Sequence, residues 1–427
     1  MTHLQRQDCV ALDAADPLAA LREQFVLPDD IIYLDGNSLG ALPKSTAARV
    51  QAVVTEEWGQ GLIRSWNTAG WIDLPRRVGN KIARLVGAAP DELVVTDSTS
   101  INLYKVLSAA LAIARVDSPQ RRVIVSEREN FPTDLYMAQS LATQHGMRLE
   151  LVEQGQALDR LRDDVAVLLL TQVNYRSGAL YDMAAVTTAA HAAGALTIWD
   201  LAHSAGAVPV DLGGAQADFA IGCGYKYLNG GPGAPAFVWA HARHVNRALQ
   251  PLSGWHGHAA PFAFTPDYQP APGMARYLCG TPTLLSLAAL ECGVDTVLAA
   301  EPLGGMQALR RKSLALSGLF IRLVHEQLSA HSVAVATPLD AHQRGSQVSL
   351  TFDGDGHAVM QALIARGVIG DFRAGDKARG DADLLRFGFT PLYLRHVDVF
   401  DAVQTLRDLL DSGLWREARF ARKGAVT

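Results

Sequence analysis

One carboxylate and one lysine amine, each following a short apolar run, are the residues of this sequence best placed to do chemistry. The run 197–199 leads into Asp200, and the run 219–221 is followed a few residues later by Lys226. Short apolar runs bounded by turn residues are typical of strands that are buried on both faces. Ligands of open α/β sheets bind at the carboxyl ends of such strands, so we expect Asp200 and Lys226 to face one crevice.

This pair supplies the two groups that pyridoxal 5'-phosphate (PLP) requires. A lysine amine holds PLP as a Schiff base, and a carboxylate keeps the pyridinium nitrogen protonated so that the ring can withdraw electrons. Lys226 lies between Tyr225 and Tyr227, with no carboxylate beside it, which favours a functional amine over a surface ion pair. A buried structural aspartate and a lysine at the protein rim are the alternative that spacing alone leaves open.

A seat for an anion is predicted just after the strand 93–97. Ser98, Thr99 and Ser100 open a helix there that reaches about Ala114. The free N–H groups and the dipole of a helix N-terminus favour an anion such as phosphate. Simple capping by a hydroxyl explains the same residues, and the two interpretations are compatible.

Two further loops adjoin predicted strands. The strand 122–126 leads into ENFPTD (129–134), in which Phe131 could stack on a ligand ring and Asp134 is either a first-turn dipole partner or a cofactor contact. The segment 36–40, GNSLG, fits the G-x-S-x-G pattern of a hydrolase nucleophile. It comes near the start of the chain and runs into Ala-Leu-Pro instead of a helix, so a turn that lines a pocket is the better interpretation.

Later loops hold histidine and arginine candidates. His256 and His258 form a His-x-His pair, but no third ligand is visible, and we predict no metal site. Arg373, Arg386 and Arg395 lie near the C-terminus. A planar guanidinium is the usual clamp for a carboxylate, so these arginines favour an amino acid as the ligand.

The order of the predicted elements indicates an α/β fold. Strands and helices alternate from residue 93 to about 240, among them a helix at about 132–145 and a strand at 165–171, which predicts a large domain with a mostly parallel sheet. From about residue 304 a long helix precedes three strands (347–352, 367–372 and 384–389) and two helices, which predicts a smaller C-terminal α+β domain. We divide the chain into an N-terminal helical segment (1–30), a large PLP-binding domain (31–303) and the small C-terminal domain (304–427).

The composition is that of an ordinary globular protein. Of the 427 residues, 49% are hydrophobic and 19% are charged, and the net charge of −5 indicates neither nucleic acid nor an anionic membrane as partner. The four cysteines form no CxxC pair, and no apolar run approaches the ~18 residues of a membrane span. The first residues lack the apolar stretch of a secretory signal, so we expect a cytoplasmic protein.

Eight segments, taken in order, resemble the kynureninases, which are fold-type-I PLP enzymes related to the class V aminotransferases. The segments are YLDGNSLG, WNTAGWIDLP, VTDSTSINL, ENFPTD, WDLAHSAGAVPVDL, GYKYLNGGPG, GWHGH and LRFGFTPLY. They extend from about residue 30 to 400, and their pattern is closer to bacterial than to animal members. The resemblance implies a homodimer with shared active sites that hydrolyses L-kynurenine to anthranilate and L-alanine with PLP.

The resemblance also implies a role for each matching cofactor residue. Lys226 would hold PLP and move the α-proton of the substrate, and Asp200 would pair with the pyridinium nitrogen. Tyr225 would contact the phosphate and protonate the β-carbon after the Cβ–Cγ bond breaks, which would require a lowered phenol pKa. The other cofactor contacts implied are Ser98, Thr99, Phe131, Thr133, Asp134, Thr171 and His203, with Trp255 and Thr281 coming from the second subunit.

Substrate contacts are implied in the same way. They are Asn37, Ser38, Trp66 and Gly280 near the aromatic ring, and Arg386 at the carboxylate. The segment 370–387 departs from the expected pattern, so Arg373 stays an alternative to Arg386.

Three functions are compatible with these residues. The first is PLP-dependent hydrolysis of kynurenine. The second is another reaction on the same fold, either that of an aminotransferase or that of a desulfurase, for which Cys279 is the only loop cysteine near the predicted pocket. The third is a relative that senses a ligand without catalysis, and the presence of both Lys226 and Asp200 argues against it.

Overall fold

The computed structural model describes residues 4–247, 250–422 and 424. Its first ten strands are β1 (Phe25–Val26), β2 (Ile32–Tyr33), β3 (Leu42–Pro43), β4 (Leu93–Val95), β5 (Val123–Glu127), β6 (Arg148–Val152), β7 (Val165–Thr171), β8 (Leu196–Asp200), β9 (Phe219–Gly222) and β10 (Phe237–Ala240). Strands β4 to β10 form a central sheet in the order β4-β10-β9-β8-β7-β5-β6. All neighbours from β6 to β9 are parallel, and β10 runs antiparallel to both β9 and β4. The predicted mostly parallel sheet is confirmed.

Apolar cores lie on both faces of this sheet. The helices of this part of the chain are α1 (Arg6–Ala14), α2 (Lys44–Ala52), α3 (Ser65–Thr68), α4 (Leu74–Val86), α5 (Thr99–Asp117), α6 (Pro132–His145), α7 (Met183–Ala192), α8 (Ala242–Val245) and α9 (Leu284–Leu298). Every residue of β7 is buried. Leu168 and Leu170 belong to one core, whereas Val167 and Leu169 belong to the other. A strand covered on both faces must be apolar throughout, which is why these strands are visible as short apolar runs.

The C-terminal part of the chain forms a second sheet. Its elements are α10 (Gly305–Gln327), β11 (Val333–Val335), β12 (Gln347–Phe352), α11 (Gly356–Ile364), β13 (Val368–Ile369), β14 (Asp371–Arg373), β15 (Leu384–Gly388) and α12 (His396–Ser412). Four of these strands form an antiparallel sheet in the order β11-β12-β15-β14. The α+β character predicted for this part of the chain is therefore observed, while the domain limits stay a prediction.

The segment predicted as one strand, 367–372, is divided at Gly370. Before it, β13 pairs in parallel with β2, and after it, β14 pairs with β15. A Cβ on Gly370 would lie 2.7 Å from the carbonyl oxygen of Arg386, so only glycine permits this close approach. The division brings the turn that follows β2 against the C-terminal sheet.

The N-terminal segment packs against the last helix. The sequence analysis predicted a helical segment here without the limits of α1, whose residue Arg6 forms an ion pair with Asp401 at 2.8 Å. Asp13 accepts hydrogen bonds from the backbone N–H groups of His396 and Val397 at the start of α12. These contacts tie the first residues to the C-terminal part of the fold.

Candidate active site

A cavity of about 130 Å³ opens at the carboxyl ends of the parallel strands. Thr171 and Asp200 end the neighbouring strands β7 and β8 and lie opposite each other in the sheet register, and Lys226 follows β9 by four residues. The residues that line the cavity are Ser98, Thr99, Ser100, Phe131, Thr133, Asp134, Thr171, Tyr175, Asp200, Ala202, His203, Tyr225, Lys226, Ala234 and Ala236. The structure thus gathers every residue predicted to contact the cofactor except Trp255 and Thr281.

Lys226 is held by a neutral imidazole. Its Nζ lies 2.9 Å from Nε2 of His203, and 5.9 Å from the centre of the Phe131 ring. Burial, reinforced by the positive charge of Lys226, keeps the pKa of His203 well below its usual range. His203 therefore accepts a hydrogen bond from the lysine amine and fixes the position of that amine in the cavity wall.

Two carboxyl groups lie buried in the wall of the same cavity. Asp134 is 2% exposed and Asp200 is 3% exposed. Burial, followed by the charge of Asp200, raises the pKa of Asp134 well above its usual range. Burial also raises the pKa of Asp200, although Lys226 and the backbone N–H of Ala202, 2.7 Å from Oδ1, oppose this effect. Two adjacent buried carboxyls do not both ionise readily, so Asp134 is the protonated partner and Asp200 carries the charge.

The first turn of α5 contributes hydroxyl and backbone groups to the cavity. Ser98 is the N-cap residue, and its Oγ accepts a hydrogen bond from the backbone N–H of Ile101 at 3.4 Å. Thr99 and Ser100 follow in the first turn, where backbone N–H groups have no partner within the helix. The capping interpretation is confirmed, and the same helix end is available to an anion, as the sequence predicts.

The G-x-S-x-G segment is a turn and not a nucleophile. The hydroxyl of Ser38 donates a hydrogen bond to Asp371 Oδ2 at 2.8 Å. The backbone N–H of Gly40 donates to the carbonyl of Tyr225 at 2.8 Å, and a Cβ on Gly40 would lie 2.4 Å from the carbonyl of Lys226. Glycine at position 40 is what lets this turn lie directly against the lysine loop.

Arg386 is buried and already paired within the protein. Its Nε donates to Asp371 Oδ1 at 2.6 Å, and its Nη2 donates to Asp371 Oδ2 and, at 3.2 Å, to the hydroxyl of Ser38. Its Nη1 donates to the carbonyl of Tyr175. Arg373 Nη2 also contacts Asp371 Oδ2, at 2.7 Å, and its side chain is 38% exposed. Both arginines remain candidates for a substrate carboxylate, whereas Arg395 pairs with Asp398 on α12.

Seven residues predicted for the site do not line this cavity. Trp66 packs edge to face against Trp71 and Trp255, with ring centres 6.2 and 5.6 Å apart. Trp255 stacks on His256 with ring centres 4.9 Å apart. The seven residues are Asn37, Ser38, Trp66, Trp255, Gly280, Thr281 and Arg386. Trp66 and Trp255 thus belong to an aromatic cluster with Trp71 and His256, and this cluster is not part of the cavity wall.

Sequence reasoning missed three residues, two of which lie just beyond the ends of strands. Tyr175 lies four residues beyond β7 and packs edge to face on Phe131, with ring centres 5.4 Å apart. Asp35 follows β2 by two residues, and Asp371 begins β14. Tyr175 and Asp35 could have been found from the sequence, because each lies just beyond a strand. No local feature of the sequence distinguishes Asp371.

Known proteins resemble this chain over its full length. The family model of the kynureninase C-terminal domain matches residues 309–406. A kynureninase of Burkholderia mallei (strain SAVP1) is 56% identical over 425 residues, with 99% of each chain covered, and one of Pseudomonas fluorescens is 55% identical with the same coverage. The structure of a cysteine desulfurase of Thermococcus onnurineus NA1 superposes with a TM-score of 0.76 at 20% identity, covering 96% of this chain and 100% of that one.

Proposed function

The chain belongs to the kynureninase family, and we infer that it is a PLP-dependent enzyme that hydrolyses L-kynurenine to anthranilate and L-alanine. One observation carries the inference: relatives 55–56% identical over 99% of the chain bear that name, and the lysine and carboxylate that the chemistry requires face one cavity. The resemblance found in the eight sequence segments pointed to the same family.

The cavity has the donor set that PLP requires. Lys226 offers the amine, Asp200 offers a charged carboxylate for the pyridinium nitrogen, and the first turn of α5 offers N–H and hydroxyl groups for the phosphate. Asp134 Oδ2 is buried without a hydrogen-bond partner among the described residues, as expected of a polar atom that faces a ligand site. When bound, PLP supplies an electron sink that weakens the bonds at the α-carbon of the substrate.

The protein residues then have separate tasks. Lys226 Nζ can take up the α-proton of the substrate and return it, because His203 holds the amine at the cavity wall. Asp200 keeps a negative charge where a cationic ring must be stabilised, since burial prevents water from screening it. Phe131 and Tyr175 pack edge to face and form an aromatic part of the cavity wall, on which a ligand ring can stack.

Tyr225 is our candidate for the acid that protonates the β-carbon. The sequence analysis held that this role would require a lowered phenol pKa, and the structure shows the opposite shift. Burial, followed by the neighbouring thiol of Cys223, raises the pKa of Tyr225. A phenol with a raised pKa stays protonated at neutral pH, which is the form a proton donor needs.

The competing functions find less support in the geometry. A desulfurase needs a reactive thiol at the site, but none of the four cysteines lines the cavity. Cys223 is buried, which raises the pKa of its thiol, and its Sγ lies against the carbonyl of Ala202. An aminotransferase remains the second candidate, because the lysine, the carboxylate and the phosphate seat serve both reactions equally.

We propose further that the enzyme is a homodimer with shared sites. Trp255 and Thr281 would complete the phosphate site of the partner, and Trp66 and Gly280 would flank the substrate ring. Large apolar side chains are exposed around this aromatic cluster, which is the usual mark of a protein–protein contact. They are Trp58, Leu62, Ile63, Phe262, Phe264 and Leu285.

The proposal for the cellular setting rests on the net charge and on the character of the helices. No helix among the described residues has both the length and the apolar character needed to cross a bilayer. The acidic net charge of −5 gives no reason to expect nucleic acid as a partner. We propose a cytoplasmic enzyme of tryptophan catabolism that acts on a small-molecule substrate and pairs with a second copy of the chain.

Release of fluorescent anthranilate tests the function directly. Purified enzyme loaded with PLP should form anthranilate and L-alanine in equal amounts from L-kynurenine. Parallel incubations with L-cysteine and with L-alanine plus a 2-oxo acid test for sulfide release and for amino transfer. Absence of anthranilate together with efficient amino transfer would replace the proposed function by that of an aminotransferase.

A further inference from the structure

Four charged groups meet at the substrate end of the site. Arg386 and Arg373 both contact the carboxylate of Asp371. Asp35 lies near enough to influence Asp371, Arg386 and Arg373 electrostatically. With all four groups ionised, two positive charges balance two negative charges, and the cluster is neutral before any substrate arrives.

The fold brings Asp35 into this cluster from a distant part of the sequence. The parallel pairing of β2 with β13 aligns Tyr33 with Ile369, two residues before Asp371. Asp371 is then opposite Arg386 in the pairing of β14 with β15. The turn that begins at Asp35 also supplies Ser38, whose hydroxyl bonds to Asp371.

The two carboxylates of the cluster are stabilised very unequally. Asp371 accepts hydrogen bonds from Arg386 and Ser38 on its two oxygens and forms an ion pair with Arg373. Asp35 Oδ1 is buried and has no hydrogen-bond partner among the residues that the structure describes. A buried carboxylate oxygen without a donor is costly in its charged form, so Asp35 is the group of the cluster that gains most from a proton.

A bound substrate carboxylate changes the charge of the cluster from zero to minus one. Arg386 is only 1% exposed, so water cannot screen the added charge well. Four of the five N–H groups of Arg386 already have partners. The cluster can therefore accept the substrate carboxylate, in addition to Asp35 and Asp371, only if one of these two aspartates loses its negative charge. Protonation of Asp35 would restore neutrality.

We propose that Asp35 takes up a proton when the substrate carboxylate binds, and thereby acts as a positioning residue that couples substrate affinity to pH. The inference rests on the proposed function only in placing an α-carboxylate at Arg386 or Arg373. Asp371 stays ionised throughout and keeps both guanidinium groups aligned. Substrate binding should then weaken as pH rises above the pKa of Asp35 in the free enzyme.

The surrounding groups agree with this assignment. Burial, followed by the charge of Asp371, raises the pKa of Asp35 to about 7. Burial opposes ionisation of Asp371 as well, but its bonds to Arg386 hold its pKa below the usual range. The other titratable groups facing Asp35 are Tyr33, Tyr227 and Tyr393, and burial raises the pKa of each phenol, so all three stay neutral.

The test uses the PLP-loaded enzyme and a probe that cannot react. 4-Phenylbutanoate has the carboxylate and the ring of the substrate but neither an amine nor a γ-carbonyl, and 4-phenylbutanamide is its neutral counterpart. Calorimetric titrations in buffers of different ionisation enthalpy count the protons taken up. Near pH 8 the carboxylate should take up a substantial fraction of one proton, and its Kd should rise by up to about tenfold per pH unit. The amide should show neither effect.

Matched variants locate the proton. Asp35→Asn should abolish the uptake and flatten the pH dependence of Kd, whereas Asp29→Asn, an exposed carboxylate that precedes the same strand, should leave both unchanged. Proton uptake that persists in Asp35→Asn would overturn the proposal. Absence of proton uptake by the wild-type enzyme would also overturn it, and this result can be obtained even if the variant fails to fold. No binding of 4-phenylbutanoate would also overturn it. Proton-linked binding without anthranilate release would instead reject the proposed reaction and leave the role of Asp35 standing.

Discussion

Three residue contacts decide what this site can do: Lys226 against His203, Asp200 against Asp134, and Arg386 against Asp371. Burial favours the neutral form in each contact, and a neighbouring charge either reinforces that effect, as at His203 and Asp134, or overcomes it, as at Asp371. His203 is held neutral, Asp134 is held protonated, and Asp371 is held charged. Chemistry at the residue scale therefore depends on environments that residue type alone does not specify.

Replacement of Lys226 by alanine should abolish turnover of L-kynurenine and the Schiff-base absorption of the loaded enzyme. No other lysine lines the cavity, so no other amine can replace it. Lys44→Ala removes an exposed lysine and should change neither property. Turnover by the Lys226→Ala enzyme at a rate near that of the wild type would show that the assignment is wrong.

Arg386→Lys should raise KM by about tenfold or more, because an ammonium cannot hold Asp371 and a substrate carboxylate as a planar fork does. Arg373→Lys is the matched comparison, since Arg373 contacts the same oxygen of Asp371. Steady-state kinetics with L-kynurenine gives both values. An unchanged KM for Arg386→Lys with a raised KM for Arg373→Lys would move the carboxylate contact to Arg373.

We expect the enzyme to prefer L-kynurenine over 3-hydroxykynurenine. Trp66 and Gly280 offer no acceptor for a 3-hydroxyl, and burying that group without a partner costs ~1–3 kcal/mol. The double variant Trp66→His/Gly280→Ser should narrow or reverse the preference, as measured by kcat/KM for both substrates. Tyr136→His, at an exposed aromatic residue outside both the predicted ring contacts and the proposed subunit contact, is the control. A wild-type preference for the hydroxylated substrate would refute this account of the pocket.

At the scale of elements, a buried carboxylate links the two strands that lead to Asp200 and Lys226. Asp218 is 1% exposed and precedes β9, and it accepts hydrogen bonds from the backbone and hydroxyl of Thr197 on β8. His191, His244 and Arg243 also bond to it. The ends of β8 and β9 carry Asp200 and the Lys226 loop, so this contact fixes their spacing.

Asp218→Asn should therefore lower the free energy of unfolding by about 3–5 kcal/mol at neutral pH. Burial alone would raise the pKa of Asp218, but the bonds from His191, His244 and Arg243 hold it well below its usual range. A depressed pKa stabilises the fold above the unfolded-state pKa of about 4, and this contribution is lost as pH falls below it.

Urea unfolding at several pH values measures the effect. The difference between the wild type and Asp218→Asn should shrink as the pH falls below about 4. Asp211→Asn, at an exposed aspartate that accepts from the Gly214 backbone, should cost far less. Equal effects of the two substitutions would mean that the Asp218 contacts do not hold the strands together.

At the scale of the whole molecule, the separation of Trp255 and Thr281 from the cavity leads to a test of shared sites. Subunits carrying Lys226→Ala, mixed with subunits carrying Trp255→Ala and Thr281→Ala, should regenerate one complete site per heterodimer. Lys226→Ala mixed with Asp200→Ala is the control, because both residues line one cavity and no site is restored. Activity of the first mixture no higher than that of the separate variants would reject the shared site.

The sequence by itself determined the elements that obey local rules. Strand β7 and helix α6 have the predicted limits, 165–171 and 132–145, because a doubly buried strand must be apolar and a Pro at the first helical position and a Gly after the last mark the ends. Ten of the predicted cofactor residues line one cavity because they lie at the ends of strands of the mostly parallel sheet or in the segments that follow those strands.

Only the tertiary structure decided the features that depend on distant partners. The division of 367–372 at Gly370 requires β2 as a neighbour, and that pairing alone brings Asp35 to Asp371 and Arg386. The raised pKa of Tyr225 likewise reflects burial by the folded chain, which the flanking sequence does not reveal. Propensity and periodicity act over a few residues, whereas burial and charge pairing act between residues hundreds of positions apart. The sequence could therefore name Arg386 as a candidate, but it could not predict that Asp371 and Asp35 would lie beside it.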